Sequence, residues 1–310
     1  MIVVDKLNKM YGNFQAVDDL SFRIDKGDIF GFVGHNGAGK TTTMKIISTL
    51  MKPTSGSVLV DGVDISKSYR DIRKSIGYMP DFFGVYDDLR VEEYMDFYGS
   101  VNGLSKNEII TSSNDLLELV DLVDKKRAYV NDLSRGMKQR LCLARSLIHD
   151  PKVLLLDEPA SGLDPRARIQ MKGILKELRN MGKTIIISSH ILTELSEVCN
   201  SVGIIDGGKM VAFGKMQDVI NDINGFSKMR LEVIGSPDKG VNLIREHDSV
   251  KDISIIDNVV EFSINGDELE ISNILKRLVK NEIEVLTYSK IEGNLEDVYM
   301  KITKEVGEDD

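Results

Sequence analysis

The chain has 310 residues, 42% hydrophobic and 29% charged, which is the balance of a globular protein long enough for two cores. Its longest apolar runs, such as Val153–Leu156 and Ile185–Ile187, are the size of buried strands and fall well short of a bilayer span. A net charge of −9 disfavours nucleic acid as the main partner, so any membrane must be reached through another protein.

The first residues, Met1-Ile2-Val3-Val4-Asp5, lack a basic stretch followed by an apolar one, which predicts no signal peptide. Residues 1 to 27 alternate as sheet strands do, with candidates at Ile2–Val4 and Leu20–Ile24. Asp28–Val33 reads as a buried strand, and Thr42–Leu50 as a helix. Val58–Gly62 is a further short strand, preceded by the turn residues Pro53-Thr54-Ser55-Gly56. From about 82 to 150 the spacing becomes helical, over Val91–Gly99, Lys106–Val120 and Gly136–His149, with Leu116, Leu119, Val120 and Val123 at helical intervals. This predicts a helical insertion between strands of one sheet.

The sheet then returns. Val153–Leu156 is apolar throughout, as in a strand covered on both faces. Ala167–Met181 is amphipathic and stops at Gly182; Thr184–Ser188 is the next buried strand; Val202–Lys209 reads as two strands joined by a turn. Alternating strands and helices predict a mostly parallel α/β sheet. The pattern breaks at 221–227, a candidate linker. Beyond it, Met229, Leu231 and Val233, then Ile253 and Ile255, then Val260, Phe262 and Ile264 alternate with polar residues. Ile271, Ile274, Leu275 and Leu278 share a helical face, Ile283–Thr287 reads as a last strand, and Leu295, Val298, Tyr299 and Ile302 form a terminal stripe. These features predict a small α+β domain over 228–304 and an acidic tail over 305–310. Its alternating apolar faces suggest a dimerising surface. Cys142 and Cys199 lie far apart in apolar helical contexts and read as reduced core thiols, and four scattered histidines give no zinc spacing.

The chemistry begins at Gly34-His35-Asn36-Gly37-Ala38-Gly39-Lys40-Thr41, followed by Thr42. The pattern G-x-x-x-x-G-K-[S/T] between a strand and a helix makes a backbone cradle for phosphate oxygens. Lys40 places a point charge on the β- and γ-phosphates, the Thr41 hydroxyl ligates Mg²⁺, and the helix aims its N-terminus at the anion. Two more buried strands end in polar pairs, Asp157-Glu158 and Ser189-His190. Ligands in open parallel sheets bind at carboxyl ends of strands, so all three ends converge on one nucleotide. Asp157 would hold Mg²⁺ through water, Glu158 would polarise the attacking water, and His190 would contact the γ-phosphate. Away from a phosphate loop, Asp157-Glu158 would be an ordinary acidic turn and His190 a helix-start or core histidine.

Leu133-Ser134-Arg135-Gly136-Met137-Lys138-Gln139-Arg140 resembles the L-S-G-G-Q signature of ATP-binding cassette (ABC) ATPases, and residues 1 to about 220 resemble that family as a whole. The resemblance implies a P-loop NTPase fold built of a RecA-like parallel sheet, an antiparallel β subdomain and a helical subdomain. It implies ATP and Mg²⁺, a homodimer or paired cassette, and a separate transmembrane permease that holds the subunit on the inner face of the cell membrane. Ser134 and the Gly136 backbone would contact the γ-phosphate held by a head-to-tail partner. Without the family, Ser134 is simply a helix N-cap. Tyr11 matches the aromatic residue that stacks on adenine, against the plainer reading of a strand aromatic packed on the core. Ser161-Gly162-Leu163-Asp164 matches the loop that crosses the dimer interface, and His190 the switch histidine.

The chain departs from the family at Asp81, where glutamine is usual, and at Arg135 and Met137 in the signature. Asp81 is expected to keep a metal-binding role. The last helix, Asn294–Tyr299, resembles the closing segment of cassettes serving bacterial exporters of drugs, antibiotics, ions or envelope polymers. The rival readings are a soluble ABC ATPase acting on ribosomes or DNA, disfavoured by the acidic balance and the single cassette, and a catalytically idle nucleotide-binding switch.

Overall fold

The structure is a computed structural model, and it describes residues 1–82, 84, 88–191, 195–224 and 227–291. The expected terminal helix and acidic tail lie outside the described residues. Chain contacts divide the molecule into two units, Met1–Met216 and Gln217–Asp310. The division falls ahead of the 221–227 stretch.

The first unit opens with the hairpin β1 (Ile2–Tyr11) and β2 (Phe14–Ile24), longer than the two short strands expected. Lys6 and Asp19 have positive φ where the register shifts, so bulges interrupt the alternation and hide the continuity of each strand. With β4 (Ser55–Val60) and β5 (Val63–Asp64) the hairpin forms an antiparallel sheet in the order β2-β1-β4-β5.

The second sheet is the frame of the site. Its six strands are β3 (Ile29–Val33), β6 (Ile76–Met79), β7 (Val153–Asp157), β8 (Thr184–Ser189), β9 (Ser201–Asp206) and β10 (Lys209–Lys215), in the order β10-β9-β3-β8-β7-β6. All neighbours pair in parallel except β10, which returns antiparallel from β9 through Gly207-Gly208. Every residue of β3, β7 and β8 is buried, as their unbroken apolar sequences require of strands covered on both faces. The antiparallel sheet supplies one cover. Phe22 of β2 stacks on Phe30 of β3 with ring centres 5.4 Å apart, and both belong to one apolar cluster spanning the two sheets.

The helices are α1 (Lys40–Ile47), α2 (Tyr69–Ser75), α3 (Val91–Val101), α4 (Lys106–Leu119), α5 (Arg135–Leu147) and α6 (Pro165–Asn180). Helices α3 to α5 are the expected insertion between β6 and β7. Helix α4 starts at a reciprocal capping box between Ser105 and Glu108; α6 starts at Asp164, whose carboxylate accepts from the Ala167 amide, with Pro165 in its first turn. Val123 does not continue the α4 stripe: it sits in a 3₁₀ turn, Val123–Lys125, and is 54% exposed, because the helix ends first.

Helix α7 (Met216–Asn224) starts on the last residue of the first unit, and the second unit continues with β11 (Ser227–Val233), α8 (Asp238–Arg245), β12 (Val250–Ile256), β13 (Val259–Ile264), α9 (Glu268–Lys280) and β14 (Val285–Lys290). From β11 onward it is a β-α-β-β-α-β unit with sheet order β12-β13-β11-β14, the split βαβ arrangement. The last strand lies slightly later than the expected Ile283–Thr287. Met229, Leu231, Val233, Val260, Phe262 and Ile264 pack with Val241, Ile244, Ile274 and Leu278 from both helices. The apolar strand faces are therefore consumed inside the unit rather than offered for self-pairing. The alternation through β12 also misleads. Asp252 has φ +52 and the register slips there, so Ile255 emerges 46% exposed beside Ile256. Among the described residues no helix is long and apolar enough to cross a membrane.

Candidate active site

The buried strands deliver their last residues to one place. The chain leaves β3 at Val33, turns through Gly34–Gly39 and enters α1 at Lys40. Gly39 makes that turn possible: its φ is +107, and a Cβ there would lie 2.5 Å from the Ala16 carbonyl oxygen. Lys40 is buried, and its ammonium donates to the carbonyls of Gly34 and His35, the latter at 3.0 Å. Burial lowers the Lys40 pKa, while the carboxylates of Glu158 and Asp157 act in the opposite direction.

A cavity of about 230 Å³ lies against this loop, lined by Tyr11, Phe14, Ala16, Asn36, Gly37, Gly39, Lys40, Thr41, Thr42, Asp81 and Glu158. Six of the nine loop residues expected from the motif therefore face it. Gly34 and Ala38 are buried in the turn instead. His35 turns away from the cavity: its Nε2 is 2.8 Å from the Asp206 carboxylate at the end of β9, and its Nδ1 is 2.7 Å from the Asn36 carbonyl. It braces the loop.

The acidic pair divides its work by position. Asp157 ends β7 and is 1% exposed. Its Oδ1 accepts from the Ser188 hydroxyl at 2.5 Å, and its Oδ2 has no hydrogen-bond partner among the described residues. A buried carboxylate oxygen with nothing bound to it is chemically suited to a cation or its water. Glu158 follows in the left-handed region, φ +51, a conformation that non-glycine residues hold only when neighbours enforce it. Ser188 is the neighbour: its carbonyl and its hydroxyl both accept from the Glu158 amide, at 3.2 and 3.0 Å. The Glu158 side chain is 12% exposed and its Oε2 lies 2.8 Å from His190 Nδ1. Burial raises the Glu158 pKa, opposed by the charge and hydrogen bond of His190 and by Lys40. Strands β7 and β8 thus place Asp157, Glu158, Ser188 and His190 in one hydrogen-bonded chain beside Lys40.

Residue Phe14 is a lining group that the sequence motifs do not mark. Tyr11 and Phe14 are cross-strand partners around the Gly12-Asn13 turn, so the hairpin tip presents two aromatic rings to the cavity. Tyr11 is 45% exposed, with Lys9 Nζ 5.4 Å from its ring centre. The available signal was the spacing Tyr-x-x-Phe across a two-residue turn. Ser188 was equally silent, one polar residue in an apolar strand.

The signature segment is elsewhere. Ser134 is the N-cap of α5, its hydroxyl accepting from the Met137 amide at 3.3 Å, and neither it nor Gly136 lines the Lys40 cavity. Ser134 caps the helix and is exposed at that helix's positive end. Among the described residues no group of three or more His, Cys, Asp or Glu could by itself hold a metal ion.

The ABC transporter family profile matches residues 17–161. Linearmycin resistance ATP-binding protein LnrL of Bacillus subtilis (strain 168) is 31% identical over 305 residues, covering 98% of each chain. The chain belongs to the ABC transporter ATP-binding proteins. Bacitracin transport ATP-binding protein BcrA of Bacillus licheniformis is 34% identical and covers 97% of both chains. Among solved structures, a dimeric ATP-binding cassette in a post-hydrolysis state bound to ADP and Pi is 25% identical, with TM-score 0.64, over 70% of this chain and 99% of that one. The fold is the ABC cassette, and the activity is that of an ABC ATPase.

Proposed function

We propose that this ATPase is the engine of an exporter, driving a separate transmembrane permease through ATP-dependent head-to-tail pairing of cassettes. The observation that carries the reading is Glu158, its backbone held by Ser188 and its carboxylate paired with His190, lining one cavity with Lys40. The amides of residues 36–41 cradle the triphosphate, Lys40 meets the β- and γ-phosphates, and Tyr11 with Phe14 receives the adenine. Glu158 orients the attacking water and takes its proton as the new bond to the γ-phosphorus forms and the bond to ADP breaks; His190 holds Glu158 and contacts the γ-phosphate.

The donor set fits Mg²⁺: Thr41 and Asp81 border the cavity, and the buried Asp157 Oδ2 has no hydrogen-bond partner among the described residues. The metal, when bound, neutralises charge on the β- and γ-oxygens. Asp81 brings a carboxylate where the family usually has glutamine, which favours a divalent cation and adds negative charge beside the phosphates.

Ser134 and Gly136 lie outside the Lys40 cavity of their own chain, which supports a second chain completing each site. The relatives LnrL and BcrA are named for linearmycin resistance and bacitracin transport, and they match along the whole chain, second unit included. That supports export of an antibiotic by a peripheral subunit on the cytoplasmic face. The test is purification of the tagged full chain from gently solubilised membranes, followed by ATP-driven uptake into inverted vesicles. An integral membrane protein should co-purify, and cargo should accumulate inside. Co-purification of ribosomes or DNA without membrane protein would replace this reading with its soluble rival, and efflux from inverted vesicles would reverse the direction.

A further inference from the structure

Arg135 occupies a place in the signature where the family has glycine, and it is the first residue of α5. A cation in the first turn of a helix opposes the helix dipole. The guanidinium does not stay there. It folds onto the Ser161-Gly162 turn that follows Glu158, where Nη2 donates to the Ser161 carbonyl at 3.1 Å. Gly162 has φ +66, and a Cβ built on it would lie 2.4–2.5 Å from the guanidinium carbon and both terminal nitrogens. The Arg135 head group therefore fills the space that any side chain at 162 would need.

A second donor reaches the same oxygen. Gln139, one turn further along α5 and buried, donates its Nε2 to the Ser161 carbonyl at 3.0 Å. Two side chains of one helix face thus grip one peptide unit. The amide of that residue, Ser161, donates back to the Glu158 carbonyl at 3.1 Å. At the helix starts, a Cβ on Gly136 would stand 3.1 Å from the Ala167 Cβ, so α5 and α6 approach closely there. A continuous chain of contacts runs from Ser134 through Arg135 and Ser161 to Glu158, whose left-handed backbone needs support from its surroundings.

We propose that Arg135 is a positioning residue that clasps the Ser161-Gly162 turn, so that each chain links the nucleotide held at its own Lys40 to the one it caps through Ser134. The clasp rests on the paired-cassette reading above. The two nucleotides of a pair are then read by one rigid segment in each chain, and hydrolysis becomes cooperative in ATP.

The test is steady-state hydrolysis against ATP concentration for the full chain, alongside Arg135→Met and Arg135→Lys, with ATP affinity and thermal midpoint measured on each. Met keeps the stem and removes both charge and donor; Lys keeps one donor. Wild type should show a Hill coefficient above unity. Arg135→Met should fall toward unity and lose about five-fold in kcat, the worth of one hydrogen bond, with ATP affinity and thermal midpoint unchanged. Arg135→Lys should recover part of both losses. A Met variant as active and cooperative as the parent overturns the clasp. So does a loss that Lys fails to relieve, or one matched by a fall in ATP affinity and melting temperature, since either marks a general packing role. A non-cooperative wild type would sink the clasp together with the paired reading, whereas a cooperative wild type with an unaltered Met variant sinks the clasp alone.

Discussion

The six-stranded sheet of the first unit and the four-stranded sheet of the second use their apolar residues in opposite ways. Strands β3, β7 and β8 are buried along their whole length, so polar side chains are confined to their ends, such as Asp157 and Ser188 at the carboxyl ends, where chemistry collects. Glu158 and His190 follow directly on the ends of β7 and β8, and Lys40 follows the loop that leaves β3. Strands β11 and β13 instead alternate, turning Met229, Leu231, Val260 and Phe262 to their helices and Lys228, Arg230 and Glu261 to the other face. That second sheet is a self-sufficient core with a mixed polar face. A fully buried parallel sheet makes a site; a half-buried antiparallel one makes a module.

The contrast can be broken at its strongest point. Lys40→Ala removes the one cation among the described residues that line the cavity, while leaving the sheet intact. It should cut hydrolysis by about 100-fold or more and weaken ATP binding with little change in folding, as measured by coupled assay and calorimetry. Wild-type ATP binding in this variant would mean that the cavity is not the nucleotide site. In the second unit, Leu231→Ala should destabilise by about 2–5 kcal/mol, because Leu231 is fully buried in that unit's own cluster. Denaturation followed by hydrogen exchange should place the loss in residues 227–291, with ATP binding by the first unit preserved. Loss of protection across both units would contradict their separateness.

Smaller effects sharpen the picture. Burial holds the Glu158 carboxyl above its ordinary range. A base must be ionised to act, so hydrolysis should decline as pH falls through that raised value, and the acid limb of kcat should lie above the usual carboxylate region. An acid limb in the ordinary range would place another group in control. Phe14→Ala should weaken ATP binding by only about three- to ten-fold, the worth of one aromatic contact, and leave kcat nearly unchanged.

How much of this was legible in sequence follows the same contrast. The phosphate loop, Asp157-Glu158 and His190 were readable because uninterrupted apolar runs announce buried strands, and their polar ends stand out. Phe14, Ser188 and Asp206 were not, because each acts through a partner distant in sequence: Tyr11 across a hairpin, Glu158 from the next strand over, His35 from a neighbouring strand end. The β1–β2 hairpin and β12 were misjudged for one shared reason. A positive φ at Lys6, Asp19 or Asp252 resets the alternation, and period-two patterns do not reveal such bulges. Arg135 is exposed in the structure too, but its contact with the Ser161 carbonyl, 26 residues on, could not be read from the signature.

The central claim is that ATP held at Lys40 is cleaved by water placed at Glu158. The most direct measurement is single-turnover hydrolysis by Glu158→Gln, with ATP binding followed on the same protein. The amide keeps the shape and a hydrogen-bonding oxygen but cannot take a proton. The prediction is ATP bound as tightly as by the parent and cleaved about 10²- to 10⁴-fold more slowly. Cleavage at the parent rate by a variant that binds ATP normally would contradict it.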